Sequence, residues 1–363
     1  MNAIAASEFE VASHAASGAR PLLRRAAIPA GWLALLIVAA YLPFGVSISG
    51  LVNLQQVIYI AIAIMSLNLL SGLAGQISIG QSAYIGLAAY ATALLVMKAG
   101  WSHWAALPVA VLLSFVLGVL TGLPALRITG IRLALTTLSI AIIFPTVPVK
   151  FTAQTGGTPG MNVNPLAAPE SWGITDVAFG YWVLLAGLVL VWVVVRNVID
   201  SRIGRSLIAV RDHQIAAHTV GINVAVTKVL VFGASAALCG LVGWMFVVTN
   251  QFVSPHDFSV LLAIYLLVGM AIGGSGTLIG PIFGALFIVY APQGIGEIGA
   301  SPLLTPLIYG AALILILLVL PQGIGGLLAK VARRITGPPA PTRVRTAAAA
   351  PDPAGEPSSP PDR

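Results

Sequence analysis

The chain has 363 residues, 58% of them hydrophobic and only 8% charged, with 38 glycines and a formal net charge of +7; its mean hydropathy is +0.97. A water-soluble chain carries roughly a quarter charged residues, so a soluble globular enzyme is excluded and most apolar side chains must face lipid. Nucleic acid is not indicated by the basic excess, because the lysines and arginines sit between apolar runs rather than on one amphipathic helix or among aromatics.

At the N-terminus, residues 1–27 form a polar, alanine-rich tail in which Arg20, Arg24 and Arg25 precede an apolar run from Ile28 to Phe44. This run reads as a retained membrane helix rather than a secretory signal, since it is long enough to cross and many spans follow. A transmembrane helix needs about 20 apolar residues. Runs of that kind begin near Ile28, Leu51, Ile79, Trp104, Ile131, Val177, Val229, Phe258, Pro281 and Leu303. They predict an all-α, polytopic membrane protein of about ten helices with glycine-interrupted segments, or eight to nine if some of the second, eighth and ninth are re-entrant. The membrane region covers residues 28–328, and the Pro-, Ala- and Ser-rich residues 329–363 form a disordered tail.

Lysine and arginine accumulate in short cytoplasmic loops. With ten spans and a cytoplasmic N-terminus, 16 of the 18 basic residues fall inside, and only Lys98 and Lys150 fall outside. Four of the eleven acids, Glu170, Asp176, Asp257 and Glu297, lie outside. Both termini are expected in the cytoplasm.

No Asp, Glu, Lys or Arg stands in the middle of a span. A charge there costs about 2.5–3.5 kcal/mol on insertion scales and persists only for use, so a proton- or ion-driven carrier has no visible engine. Sodium sites built from carbonyls and hydroxyls leave an ion-coupled secondary transporter acting alone as the alternative. The sequence contains no HExxH, GxSxG or Walker A motif, and the single cysteine, Cys239, has no partner within the chain. These features predict a protein that is not an enzyme and binds neither metal nor cofactor.

The densest polar cluster in apolar surroundings runs from Gln55 to Ser82 and includes Asn68, Ser71, Gly72, Gly75, Gln76, Ser78, Gly80 and Gln81. Either these groups line a translocation pathway, with Asn68, Gln76, Ser78 and Gln81 as its candidates, or they hydrogen-bond between closely packed helices. A second glycine cluster, Gly269 to Gly284, has similar spacing and hints at an internal duplication.

Residues 200–228 form a cytoplasmic loop far longer than a helix connection requires. It reads as two short helices. Leu207, Ile208 and Val210 give the first an apolar side opposite Arg205 and Arg211; Asp212 is placed to N-cap the second, and Gly221 to stop it. Such a helix either docks in a groove of another protein or lies on lipid headgroups.

The stretch SRIGRSLIAVRDHQIAAHTVGINVAVTKVLVFGASAALCGLVGWM resembles the cytoplasmic loop and following span of LivM-type permeases, membrane subunits of ABC importers for branched-chain amino acids. Five further stretches agree with that family in order: LNLLSGLAGQISIGQSAYIGLAAYATALL, LPALRITGIRLALTTLSIA, TGGTPGM, VGMAIGGSGTLIGPIFGA and PQGIGGLL. The resemblance spans most of the chain, from Leu51 to Leu328. It implies a permease of the bacterial inner membrane, working with a LivH-like permease, two cytoplasmic ATPase subunits that bind the ATP, and a periplasmic or lipid-anchored solute-binding protein. On the same ground, the coupling contact falls to Gly204, Arg205, Ala209, Arg211, Asp212, Gln214, Ile215, Ala216, Ala217 and Gly221, and the binding protein to the external loop of residues 150–176. Urea and short amides are cargoes of related permeases. Three residues depart from the pattern: Gln214 where an acid is common, Gln81 where histidine is frequent, and Arg132 where tyrosine is frequent.

Overall fold

The computed structural model describes residues 37–297, 304–319 and 323–327, all within one unit that ends at Leu327. Residues 1–27, the beginning of the first apolar run and the tail of residues 329–363 lie outside the described residues.

The apolar runs form helices α1 (Ile48–Leu67), α2 (Gln81–Met97), α3 (His103–Gly122), α4 (Ile131–Ile143) and α5 (Asp176–Asp200). Then come two short helices, α6 (Arg202–Asp212) and α7 (Gln214–Thr219), followed by α8 (Val224–Asn250), α9 (Val260–Gly273), α10 (Gly280–Glu297) and α11 (Thr305–Val319). Several starts are set by side-chain caps: Ser47, Ser102 and Thr175 each accept a backbone N–H three residues ahead, at 3.3 Å. Asn223 does the same for Val226 at 3.1 Å, which is why α8 begins at Val224 rather than at Val229.

Residues 48–73, 103–126, 131–150, 176–200 and 224–250 form helices long and apolar enough to cross a membrane; α2, α9 and α10 are shorter apolar helices. The 14 residues of α9 rise about 21 Å at 1.5 Å each, less than a hydrocarbon core of about 30 Å. It ends at the pair Gly273–Gly274.

The helices form an inner and an outer set. The apolar window of α1 is 89% buried and that of α8 72%, against 33% for α3 and 28% for α5. A helix apolar on all sides belongs inside a bundle, whereas the exposed Leu112, Leu120 and Leu190 of the outer set are surfaces for lipid. Small residues allow the inner helices to approach. A Cβ on Gly243 of α8 would stand 2.7 Å from the Ala88 Cβ of α2, and one on Gly240 would stand 2.7 Å from the Val111 Cα of α3.

The connections gather at two ends. At one, β1 (Met161–Asn162) pairs antiparallel with β2 (Phe252–Val253), and Lys98 Nζ donates to the Ala153 carbonyl at 2.7 Å. At the other lie the loop of residues 200–224 and both glycine-rich reversals. Among the described residues Lys98 and Lys150 belong to the first end, whereas Arg127, Arg132, Arg202, Arg205 and Arg211 belong to the second, a distribution of the kind lipid-spanning proteins show.

Candidate functional site

The loop between α5 and α8 is built around α6. Ser201 Oγ accepts the N–H groups of Ile203 at 3.1 Å and Gly204 at 3.4 Å, and so starts the helix. A Cβ on Gly204 would stand 2.5 Å from the Val198 carbonyl, so the sharp turn out of α5 requires glycine. Leu207 and Val210 are buried; Leu207 packs with Leu70, Leu73, Ala125 and Leu133, which belong to the ends of three membrane helices.

Arg211 makes the most consequential contact of this helix. Its Nη1 donates to the Gly72 carbonyl at 2.9 Å, across 139 residues of sequence. Its Cγ lies where a Cβ on Gly75 (φ +67°) would be, at 2.5 Å, and its Nε reaches Asp212 Oδ1 at 3.1 Å. Residues 68–73 continue α1 as a widened π turn, which leaves carbonyls free to accept from outside the helix.

That turn is itself clamped to the second reversal. Asn68 Nδ2 donates to the Thr277 carbonyl at 2.8 Å, and its Oδ1 accepts the Gly276 N–H at 2.7 Å. A Cβ on Gly72 would stand 2.8 Å from the Gly276 nitrogen. Gly325 closes on the same turn, where a Cβ would meet Thr277 Oγ1 at 2.5 Å, and Gly323 lies against Gly274. Three glycine-rich turns thus meet backbone to backbone, and Arg211 joins them to α6.

α7 is different. Ile215 is 85% exposed and Val220 is 75% exposed; Gln214, Ala216, His218 and Thr219 are exposed too. The helix ends as expected at Gly221 (φ +84°), where the Gly221 N–H bonds the His218 carbonyl and the Ile222 N–H bonds the Ala217 carbonyl, both at 3.1 Å. Its start departs from expectation. Asp212 is the last residue of α6 and does not cap α7; the N-cap position falls on His213, whose side chain makes no capping bond. The carboxylate is turned instead to Arg211. Gln214 Oε1 accepts from Nζ of Lys228, which is 3% exposed, at 3.1 Å. Both residues border a groove of about 520 Å³ beside α7.

Of the proposed coupling residues, Arg205, Arg211, Asp212, Gln214, Ile215, Ala216 and Gly221 are exposed, Ala209 is half-buried, and Gly204 and Ala217 face inward. The four pathway candidates are all buried. Ser78 Oγ donates to Gln81 Oε1 at 3.1 Å; Gln81 Nε2 donates to Ser235 Oγ at 3.3 Å, which in turn donates to the Ser66 carbonyl at 2.8 Å. Ser78, Gln81 and Asn68 therefore bond within and between elements, and Gln76 is held through its main chain, which donates to the Leu70 carbonyl at 3.1 Å and accepts from Ser71 Oγ at 2.9 Å. Among the described residues no group of three or more His, Cys, Asp or Glu could hold a metal ion.

Asp257, which the sequence marks only as an acid outside the membrane, closes a capping box with Ser254: the Ser254 N–H donates to Asp257 Oδ2 at 2.9 Å, and Ser254 Oγ accepts in return from the turn. The S-x-x-D spacing in SPHD carries that signal. Burial pushes the Asp257 carboxyl above the usual carboxylate range, against the opposing effects of the Ser254 N–H and His256.

Residues 51–317 match the family described as branched-chain amino acid transport system / permease component. The high-affinity branched-chain amino acid transport system permease protein LivM of Escherichia coli (strain K12) is 28% identical over 316 residues, 80% of this chain and 73% of that protein. The autoinducer 2 import system permease protein LsrC of Salmonella paratyphi B is 27% identical over 53% of this chain and 56% of its own length. The fructose import permease protein FrcC of Rhizobium meliloti is 29% identical over 40% of this chain and 42% of its own length. No solved structure matches the chain. With several apolar helices of crossing length and a family match over most of its residues, the chain is a multi-pass membrane protein that belongs to the permease components of branched-chain amino acid transport systems.

Proposed function

We propose that this chain is a permease subunit of an ATP-driven ABC importer in a bacterial inner membrane, and that its cargo is branched-chain amino acids. The observation that carries this reading is the two-sided loop of residues 200–228. One side is bonded through Arg211 to the turn where broken helices meet; the other presents Ile215 and Val220, which none of the described residues covers. A helix held in this way, with Ile215 turned outward, suits the groove of another protein, and no Asp, Glu, Lys or Arg stands in the middle of a span to drive transport. In this reading two cytoplasmic ATPase subunits bind and hydrolyse the ATP; one docks on α7, and a LivH-like permease completes the pathway. A periplasmic or lipid-anchored binding protein delivers cargo to the loop of residues 150–176. About ten helices cross the membrane with both termini in the cytoplasm, the permease region covers residues 28–328, and the flanking tails stay in the cytoplasm.

The cargo follows from the LivM relative, whose name specifies branched-chain amino acids and which matches over more of the chain than the permeases named for autoinducer 2 and fructose. The test is reconstitution. Purified chain in proteoliposomes should transport no leucine, whereas the chain with its permease partner, ATPase subunits and loaded binding protein should take up leucine, isoleucine and valine when ATP is supplied. Uptake by the chain alone, driven by a proton or sodium gradient, would contradict the proposal and favour an independent carrier.

A further inference from the structure

At the end away from the α6–α7 loop, a second cavity of about 320 Å³ opens beside the turn Pro255–Phe258 and runs down between α1, α8 and α9, with Ile85 of α2 and Ile288 of α10 completing its lining. Its size is at the lower limit of small-molecule sites, about 300 Å³. The chemistry changes along its length. Ile60, Ala63, Leu266 and Ile288 form an apolar wall, whereas Gln56, His256 and Asp257 lie on the side of the turn. Gln56 precedes Ala63 by two turns of α1 and is therefore about 10 Å nearer that end. The hydroxyl of Tyr59 lies beside Gln56 and Asn250 and within the field of Asp257, so these polar groups form one cluster.

Asp257 is the unusual member. It is half-buried, yet the ion pairs among the described residues are Arg196–Asp200 and Arg211–Asp212, and none of the described lysines or arginines compensates it. Its Oδ2 serves the Ser254 cap, which leaves Oδ1 for another donor. A capping role alone is met by a neutral side chain, and a partly desolvated carboxylate with no more than the neighbouring His256 to oppose its burial is costly to keep.

We propose that this cavity is a station for the cargo in transit, shaped for a small zwitterionic amino acid with a branched apolar side chain. Asp257 receives the ammonium group, Gln56 and His256 donate hydrogen bonds to the carboxylate, and the wall of Ile60, Ala63, Leu266 and Ile288 receives the side chain. The inference rests on the amino-acid import reading above, and its test separates the two.

The complete importer is reconstituted in proteoliposomes with saturating leucine-loaded binding protein, and uptake is compared for wild type, Asp257→Asn and Ile288→Phe. Asn keeps the carbonyl oxygen that accepts the Ser254 N–H, so the cap survives while the charge is lost. The expected result is at least a tenfold fall in leucine uptake for Asp257→Asn with assembly and thermal midpoint unchanged. Ile288→Phe, which shortens the apolar wall, is expected to lower leucine uptake more than valine uptake. Wild-type uptake together with Asp257→Asn uptake equal to it, or an unchanged leucine-to-valine ratio in Ile288→Phe, overturns the station and leaves the import reading intact. A wild-type complex that takes up no branched-chain amino acid refutes the import reading itself.

Discussion

Helices α6 and α7 are joined by a single residue, His213, and are used in opposite ways. α6 buries Leu207 and Val210 and ties Arg211 to a carbonyl at the end of α1. α7 turns Ile215 outward, Val220 just after it is exposed too, and the helix contributes one inward residue, Ala217. The loop thus has a held half and a free half, which suits the proposed transmission of force from an ATPase partner. A loop held on both sides would not engage another protein, and one free on both sides would move without moving the membrane helices.

The comparison can be broken most severely at the free half. Burying a side chain the size of Ile or Val is worth about 1.5–3 kcal/mol, so replacing both Ile215 and Val220 by Glu should reduce the ATPase subunit recovered with the purified permease by more than tenfold. The permease's own thermal midpoint should hardly move, because both side chains are exposed. Undiminished recovery would show that α7 is not the docking surface.

A milder break is at the end of α7. Gly221 has φ +84°, a conformation that costs an L-residue roughly 1–2 kcal/mol. Gly221→Val should fray the last turn and slow uptake several-fold while leaving membrane insertion intact. Uptake at the wild-type rate would mean that the orientation of α7 is unimportant. The smallest effect is expected where the halves meet α8. Gln214→Glu would replace the amide that accepts from Lys228 with a carboxylate. Position 214 is exposed while Lys228 is buried, so the expected result is a small rise in thermal midpoint that added salt reduces only in part. A fall in midpoint would mean that the amide's N–H groups matter more than its oxygen.

The halves also differ in how much of them could be read in advance. Apolar runs disclosed the membrane helices because lipid imposes a length and a composition on each, and Gly221 was legible because few other residues end a helix in the left-handed conformation. The bond from Arg211 to Gly72 was not legible: it spans 139 residues, and nothing local distinguishes that arginine from Arg205, which bonds the Asp200 carbonyl nearby. Asp212 was misread as a cap because cap rules are local, while an adjacent guanidinium competes for the same carboxylate. Polarity marked Asn68 and Gln81, but whether an amide faces a route or a neighbouring helix depends on partners such as Thr277 and Ser235, and these come from distant segments.

If α7 docks as proposed, Arg211 links the partner to the membrane helices, and the ratio of leucine uptake to ATP hydrolysis in the complete reconstituted complex reads that link. Arg211→Ala should keep the ATPase subunits bound and ATP turning over, while uptake per ATP falls at least fivefold. An unchanged ratio in a complex that still assembles would contradict it.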